Sequence, residues 1–230
     1  MARSALITGG TGGLGAAVTR TFLDGGWRVV VPLYAEAERE RVDAHERLVL
    51  AQADLFEPAS ATAVAELAAA DPDAPLRAVV NLVGGFAMGE RVHATPIEDF
   101  EAQLRLNLRP TYLVCQAAIE HLRSAGGGAI VCVSSRAALK PFAGAAGYVV
   151  AKAAVLAFVD VLATEYRDDG IRANAVLPSV IDTPGNRHAM PDADVHRWVK
   201  PEQIAAVVRF LCEDGSGVVS GAHVPVYGRA

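Results

Sequence analysis

Seven short runs of apolar residues, at 4–8, 28–33, 48–51, 78–83, 129–133, 173–177 and 223–226, alternate with longer segments of helical spacing along the whole chain. A run that is apolar at nearly every position must be covered on both faces, which a strand achieves inside a parallel sheet flanked by helices. The connecting segments agree: Leu14, Val18 and Phe22 recur at helical spacing, as do Ile204, Val207, Val208 and Leu211, and each set marks one buried face. No linker breaks the alternation across the 230 residues. The expected fold class is therefore α/β: a single domain over 1–230 with a doubly wound, seven-stranded parallel sheet flanked by helices.

Two segments, about 107–123 and 148–166, are apolar over more than one face and need extra cover; it comes either from burial between the sheet and a neighbouring loop or from helix pairing with a second copy, and the second is preferred, so a homodimer or homotetramer is expected. A Glu/Arg-rich segment at about 35–44 reads as a solvated helix. Apolar residues make up 52% and aromatics 6%, so the core is built mainly from small and aliphatic side chains. With 21 Lys and Arg against 26 Asp and Glu, a net charge of −5 and no basic block, nucleic acid is not an expected partner. The longest stretch without a charge, 4–19, holds five glycines and falls short of the roughly 20 apolar residues a membrane span needs, so no membrane association is expected. Cys115, Cys132 and Cys212 are odd in number and far apart, which gives neither a disulfide framework nor a Cys-x-x-Cys metal site. The first strand begins too near Met1 for a targeting segment, and the expected location is the cytoplasm.

Thr8-Gly9-Gly10-Thr11-Gly12-Gly13-Leu14-Gly15 follows the first strand and opens the first helix. In that context backbone N–H groups and a helix N-terminus hold a pyrophosphate, the mark of a Rossmann-like dinucleotide site. Gly10, Gly12 and Gly15 fit one known spacing; Gly9, Gly13 and Gly15 fit another. About 20 residues on, such sites place a carboxylate that bonds the ribose 2′-OH and repels a 2′-phosphate. Leu33 and Tyr34 stand there instead, Arg39 or Arg41 could reach a 2′-phosphate, and the reading leans to NADP(H) within NAD(P)(H).

Tyr148 and Lys152 are four apart at the start of a helix, which puts phenol and ammonium on one face. A phenol with a free pKa of about 10 is a poor base at neutral pH, and a neighbouring cation favours its phenolate. Ser134 and Ser135 end a strand, where side chains of an open α/β sheet face the ligand crevice.

The glycine loop, Asn81, Asn107, Ser135, Tyr148 and Lys152, in this order and spacing, resemble a short-chain dehydrogenase/reductase over nearly the whole chain. The resemblance implies that Tyr148 exchanges a proton with a carbonyl or alcohol oxygen while the nicotinamide gives or takes a hydride. Ser135 would bond the same oxygen, Lys152 would hold the nicotinamide ribose and lower the tyrosine pKa, and Asn107 would position a relay water. Cofactor contacts are implied at Gly9, Thr11, Gly12, Gly13, Leu14 and Gly15, at Tyr34, at Asp54 and Leu55 beside the adenine, and at Asn81, Gly84, Tyr148, Lys152, Pro178, Ile181 and Thr183. For Asp54 a structural alternative is an N-cap of the next helix. The chain departs from the family pattern at Asn81-Leu82-Val83-Gly84, usually Asn-Asn-Ala-Gly, and at Pro178-Ser179, usually Pro-Gly. The family's Ile-x-Thr is kept in Ile181-Asp182-Thr183, and the ending after Val226-Tyr227-Gly228 is short, which puts a tail-mediated tetramer contact in doubt.

Substrate choice in such folds sits on loops beyond the strand ends, here 84–93, 137–147 and 182–200. The last is polar and punctuated by proline, so it reads as a mobile lid at about 182–200 with Met190 and Trp198 as apolar anchors. Together with Leu177-Pro178 and Gly84-Gly85, this stretch is locally similar to dihydropteridine reductases, which lack the serine found here as Ser135. The expected activity is hydride transfer between nicotinamide and a small carbonyl or alcohol substrate. Pterin reduction and a catalytically idle dinucleotide-binding or redox-sensing role are the alternatives. His188 and His196 have no partners that complete a metal shell, and no metal is expected.

Overall fold

In the computed structural model, which describes residues 2–229, the apolar runs pair as one fully parallel sheet in the order β3-β2-β1-β4-β5-β6-β7. The strands are β1 (Ser4–Thr8), β2 (Arg28–Leu33), β3 (Leu48–Gln52), β4 (Leu76–Asn81), β5 (Gly128–Val133), β6 (Ile171–Pro178) and β7 (His223–Val226). Because successive side chains point to opposite faces, Leu6 packs in one apolar core with Val79 and Ile130, and Ile7 in the other with Val80 and Val131. The first core is closed by α2 (Pro58–Ala69), α3 (Ile97–Ser124) and α4 (Ala146–Glu165), the second by α1 (Gly15–Asp24) and α6 (Pro201–Cys212). A short helix, α5 (Pro184–Ala189), lies in the segment after β6.

The strand order reverses between β1 and β4. At such a switch the crossovers leave in opposite directions and a crevice opens beyond the strand ends. Thr8 and Asn81, paired in register, form its floor. Strand β4 stops at Asn81, two residues before the apolar run does, because the Leu82 amide turns away to donate to the Thr8 hydroxyl at 3.2 Å.

Two helix assignments are corrected. Residues 35–44 form a 3-10 turn, Glu36–Arg41, in place of an α-helix, and none of its residues is buried: the charges recur at helical spacing but leave no apolar stripe to dock. The helix expected from 107 begins ten residues earlier, after Pro96, with Glu98 and Asp99 in its first turn. Helix α4 is long and apolar enough to cross a membrane by length and composition; here it packs on α3, β5 and β6 with Lys152 buried. Cys115, Cys132 and Cys212 are free and buried.

Candidate active site

The glycine loop is shaped by contacts that leave no room for side chains. Gly9 takes φ +64°, and a Cβ on Gly15 would lie 1.9 Å from the Gly9 carbonyl oxygen. A Cβ on Gly13 would meet the Thr183 methyl at 2.8 Å, whereas on Gly12 the nearest atom is 3.3 Å away. A Cβ on Gly10 would likewise meet Thr19 Oγ1 and Val31 at 2.8 Å, so Gly12 is the loop glycine under the least steric constraint. Helix α1 starts at Gly15 without a side-chain cap and without an acidic residue in its first turn; the Ala16 amide donates to the Gly12 carbonyl at 2.9 Å, and the Gly15 and Ala17 amides are left for an anion.

Across the crevice, Ser135 follows β5 in extended conformation, and its Oγ accepts from the Ala137 amide at 3.1 Å. Tyr148 and Lys152 stand on the first two turns of α4. The Ser134 hydroxyl donates to the Lys152 carbonyl at 2.7 Å and ties that helix to the strand end, so of the two serines Ser134 is structural and Ser135 meets Tyr148. Burial raises the Tyr148 pKa above its ordinary value, and the hydrogen bond with Ser135 acts against that rise. Lys152 is 6% exposed, donates from Nζ to the Val133 carbonyl at 3.0 Å, and is brought down to about 8 by burial. Its Nζ is 6.0 Å from the Tyr148 ring centre. In this geometry the phenol is pushed up rather than down, because the ammonium is turned to a backbone carbonyl and desolvation prevails.

Asn107 holds the loop after β4. Its Oδ1 accepts from the Gly85 amide at 3.1 Å, and its Nδ2 donates to the Gly85 carbonyl at 3.1 Å and to the Gln103 carbonyl at 3.0 Å. A Cβ on Gly84 would come within 2.7 Å of Asn107 Oδ1 and 3.0 Å of Lys152 Nζ, so glycine is what lets the two side chains approach. Asn107, Gly84, Lys152, Tyr148 and Ser135 thus form one connected cluster.

The remaining expected contacts spread along the crevice. Thr183 accepts from the Asn186 amide as the N-cap of α5 and touches Gly13, linking the segment after β6 to the phosphate loop. Ile181 bridges to Val199, and Pro178 ends β6 opposite Val226. Asn81 turns its amide nitrogen to Cys115 Sγ at 3.2 Å, and its Oδ1 is buried without a partner among the described residues. Asp54 lies past the end of β3, where it accepts from the Phe56 amide at 2.9 Å; this turn precedes Glu57, the N-cap of α2, so Asp54 is not itself the cap. Leu55 is buried beside it, and Tyr34 is 68% exposed. Within the segment expected as a lid, Trp198 is buried and Met190 is 38% exposed.

Three residues join the site that the sequence does not single out for a role in it. Phe86 stands edge-on to Tyr148 with centroids 5.0 Å apart and approaches Phe142 at 6.2 Å, giving the site an apolar wall. Glu38 accepts a hydrogen bond from Thr11 inside the glycine loop. Gly85 is the backbone that Asn107 clamps. Phe86 had no periodicity to mark it, whereas Glu38 lies near the distance past the glycines at which a carboxylate is sought. Among the described residues no cluster of His, Cys, Asp or Glu is arranged to hold a metal.

A glycine cradle that side chains would fill, an uncapped helix start and a buried carbonyl oxygen on Asn81 fit a dinucleotide laid across the switch point. Fold and site define an NAD(P)-dependent oxidoreductase. The family model described as enoyl-(acyl carrier protein) reductase matches residues 9–228, and the chain belongs to the short-chain dehydrogenase/reductase family. It is 30% identical to 2-(R)-hydroxypropyl-CoM dehydrogenase of Xanthobacter autotrophicus over 96% of each chain. It is 31% identical to 4-formylbenzenesulfonate dehydrogenase of Comamonas testosteroni, over 97% of this chain and 96% of the relative. Among solved structures, ElxO with NADP bound superposes with a TM-score of 0.91 at 23% identity over 99% of this chain and 98% of its own, a likeness of fold.

Proposed function

We propose that the chain reduces a small aldehyde or ketone, or oxidises the corresponding alcohol, with Tyr148 as general acid or base. The observation that carries this is the half-buried Tyr148 phenol, beside Ser135 and one turn ahead of buried Lys152, whose ammonium approaches Gly84 in the loop after β4. A bound nicotinamide supplies or accepts the hydride. Ser135 holds the substrate oxygen, and Tyr148 gives that oxygen its proton in reduction and takes it back in oxidation. Burial keeps the phenol protonated through neutral pH, which suits donation to a carbonyl. Lys152 holds the nicotinamide ribose, and Asn107 fixes the loop beneath it. The glycine loop and the start of α1 hold the pyrophosphate, with Thr183 beside them. Phe86 and Phe142 favour a substrate with an apolar body, in keeping with the ring-bearing aldehyde that names the Comamonas relative.

Of the two arginines that could reach a 2′-phosphate, Arg39 is tied to Glu36 at 2.6 Å and Arg41 alone is left for it. The homodimer or homotetramer is supported by an open groove on α3 and α4, where Tyr112 and Phe158 meet at 5.6 Å with rings tilted by 43° beside Leu104 and Leu108, and Arg105 and Arg109 flank them.

The test is Y148F against a panel of aldehydes, ketones and quinonoid dihydropterin. Turnover is expected to fall about 10²–10⁴-fold with nucleotide binding unchanged. Unchanged turnover would sink the assignment. Tight nucleotide binding by the wild type with no turnover across the panel would favour the catalytically idle reading.

A further inference from the structure

Glu38 stands in the 3-10 turn after β2, 23 residues past Gly15, and its Oε2 accepts a hydrogen bond from the Thr11 hydroxyl at 3.0 Å. Thr11 is buried within the phosphate loop, and Glu38 is half-buried, unlike the exposed residues on either side of it. The bond spans 27 residues and docks the turn onto the loop. In dinucleotide folds the adenosine ribose lies between the glycine loop and the end of the second strand. A carboxylate there accepts from the ribose 2′-OH and repels a phosphate on the same oxygen. The end of β2 itself carries buried Leu33 and exposed Tyr34, neither of which does this.

The charge around the turn favours the same outcome. Arg39 gives its Nε to Glu36, and Arg20 is engaged by Asp24 and Asp43, each at 3.2 Å. Arg41 makes no salt bridge among the described residues and is the one cation of the turn left for an anion, set against Glu38 and Glu40. A carboxylate accepts up to four hydrogen bonds, so Glu38 can keep Thr11 on one lone pair and take a ribose hydroxyl on another. A 2′-phosphate would bring roughly two further negative charges to that oxygen.

We propose that Glu38 is the residue that selects the cofactor, and that it selects NAD(H) over NADP(H). This rests on the oxidoreductase reading above. It differs from the expectation drawn from Leu33 because the carboxylate comes from the turn instead of the strand end, and Thr11 fixes its position.

The experiment is a fluorescence titration of the wild-type protein and E38Q with NADH and with NADPH, at low and high salt, with a thermal melt to confirm that both are folded. The wild type should bind NADH at least tenfold more tightly than NADPH, and the gap should narrow as salt screens the repulsion. E38Q, which keeps an acceptor for Thr11 and removes the charge, should narrow the gap at least fivefold, mainly through tighter NADPH binding. Wild-type protein that prefers NADPH, or an E38Q variant with an unchanged ratio, overturns the assignment of Glu38 and leaves the oxidoreductase reading standing. Failure of the folded wild type to bind either nucleotide overturns both.

Discussion

The two edges of the sheet spend their polar groups in opposite ways. At the N-terminal edge, arginines at the starts of strands cap the ends of helices. Arg28 of β2 donates to the Leu67 and Ala68 carbonyls of α2 at 3.1 and 3.2 Å, and Arg77 of β4 donates to Ala125 beyond α3 at 2.6 Å. Arg172 of β6 reaches Leu211 and Glu213 at the end of α6, and Val219 as well, at 2.9–3.3 Å. Each cation meets carbonyls that a helix leaves unsatisfied at the negative end of its dipole. At the C-terminal edge the helix start of α1 has no side-chain cap, Asn81 keeps a buried oxygen without a partner among the described residues, and Lys152 has only one backbone carbonyl for its ammonium. Apart from Trp27 Nε1, which is buried before β2 without a partner among the described residues, the first edge is satisfied internally and serves stability; the other is left partly open and serves binding and chemistry.

This division can be broken by variants that separate activity from stability. Y148F is the strongest test: a loss of about two to four orders of magnitude in turnover should leave the unfolding midpoint unchanged. R172M should do the reverse, lowering the unfolding free energy by about 2–3 kcal/mol as three carbonyls lose their donor, with the NADH dissociation constant unchanged. Weaker nucleotide binding by folded R172M would show that the edges are coupled. The smallest effect is a pH dependence at Lys152. Its folded pKa is about 8 against an ordinary 10.5, so between these values the unfolded chain binds more protons than the folded one. Stability contributed by this group therefore rises with pH through that window, and below it the full cost of burying the charge is present. Urea unfolding at about pH 8 and about pH 10 should show the wild type gaining about 1–2 kcal/mol relative to K152M; a parallel response in the two proteins would remove Lys152 from the account.

The strands were legible because each is buried on both faces and so is written as a continuous apolar run; Ser4–Thr8, Arg28–Leu33 and His223–Val226 agree at both ends. The first part of α3 was harder to read, since Ile97, Phe100 and Leu104 are spaced among Glu98, Asp99, Glu101 and Arg105 and give only a narrow stripe. The turn at Glu36–Arg41 misled for the converse reason: charge spacing imitates a helix where no burial drives one. That error also hid Glu38, because a solvated helix would not aim a single carboxylate at Thr11. Ser135, Tyr148 and Lys152 were readable from their spacing, but the clamp of Asn107 on Gly85 depends on two segments meeting in space and leaves no local pattern.

Gly85 belongs to a stretch without regular secondary structure, yet both of its backbone groups are held by one side chain of a 28-residue helix. A loop amide of this kind exchanges with solvent only when its partner lets go. The Gly85 proton should therefore exchange on the timescale of α3 and far more slowly than the neighbouring loop protons. This loop of the active site is, in kinetic terms, part of a helix to which it is not joined in sequence.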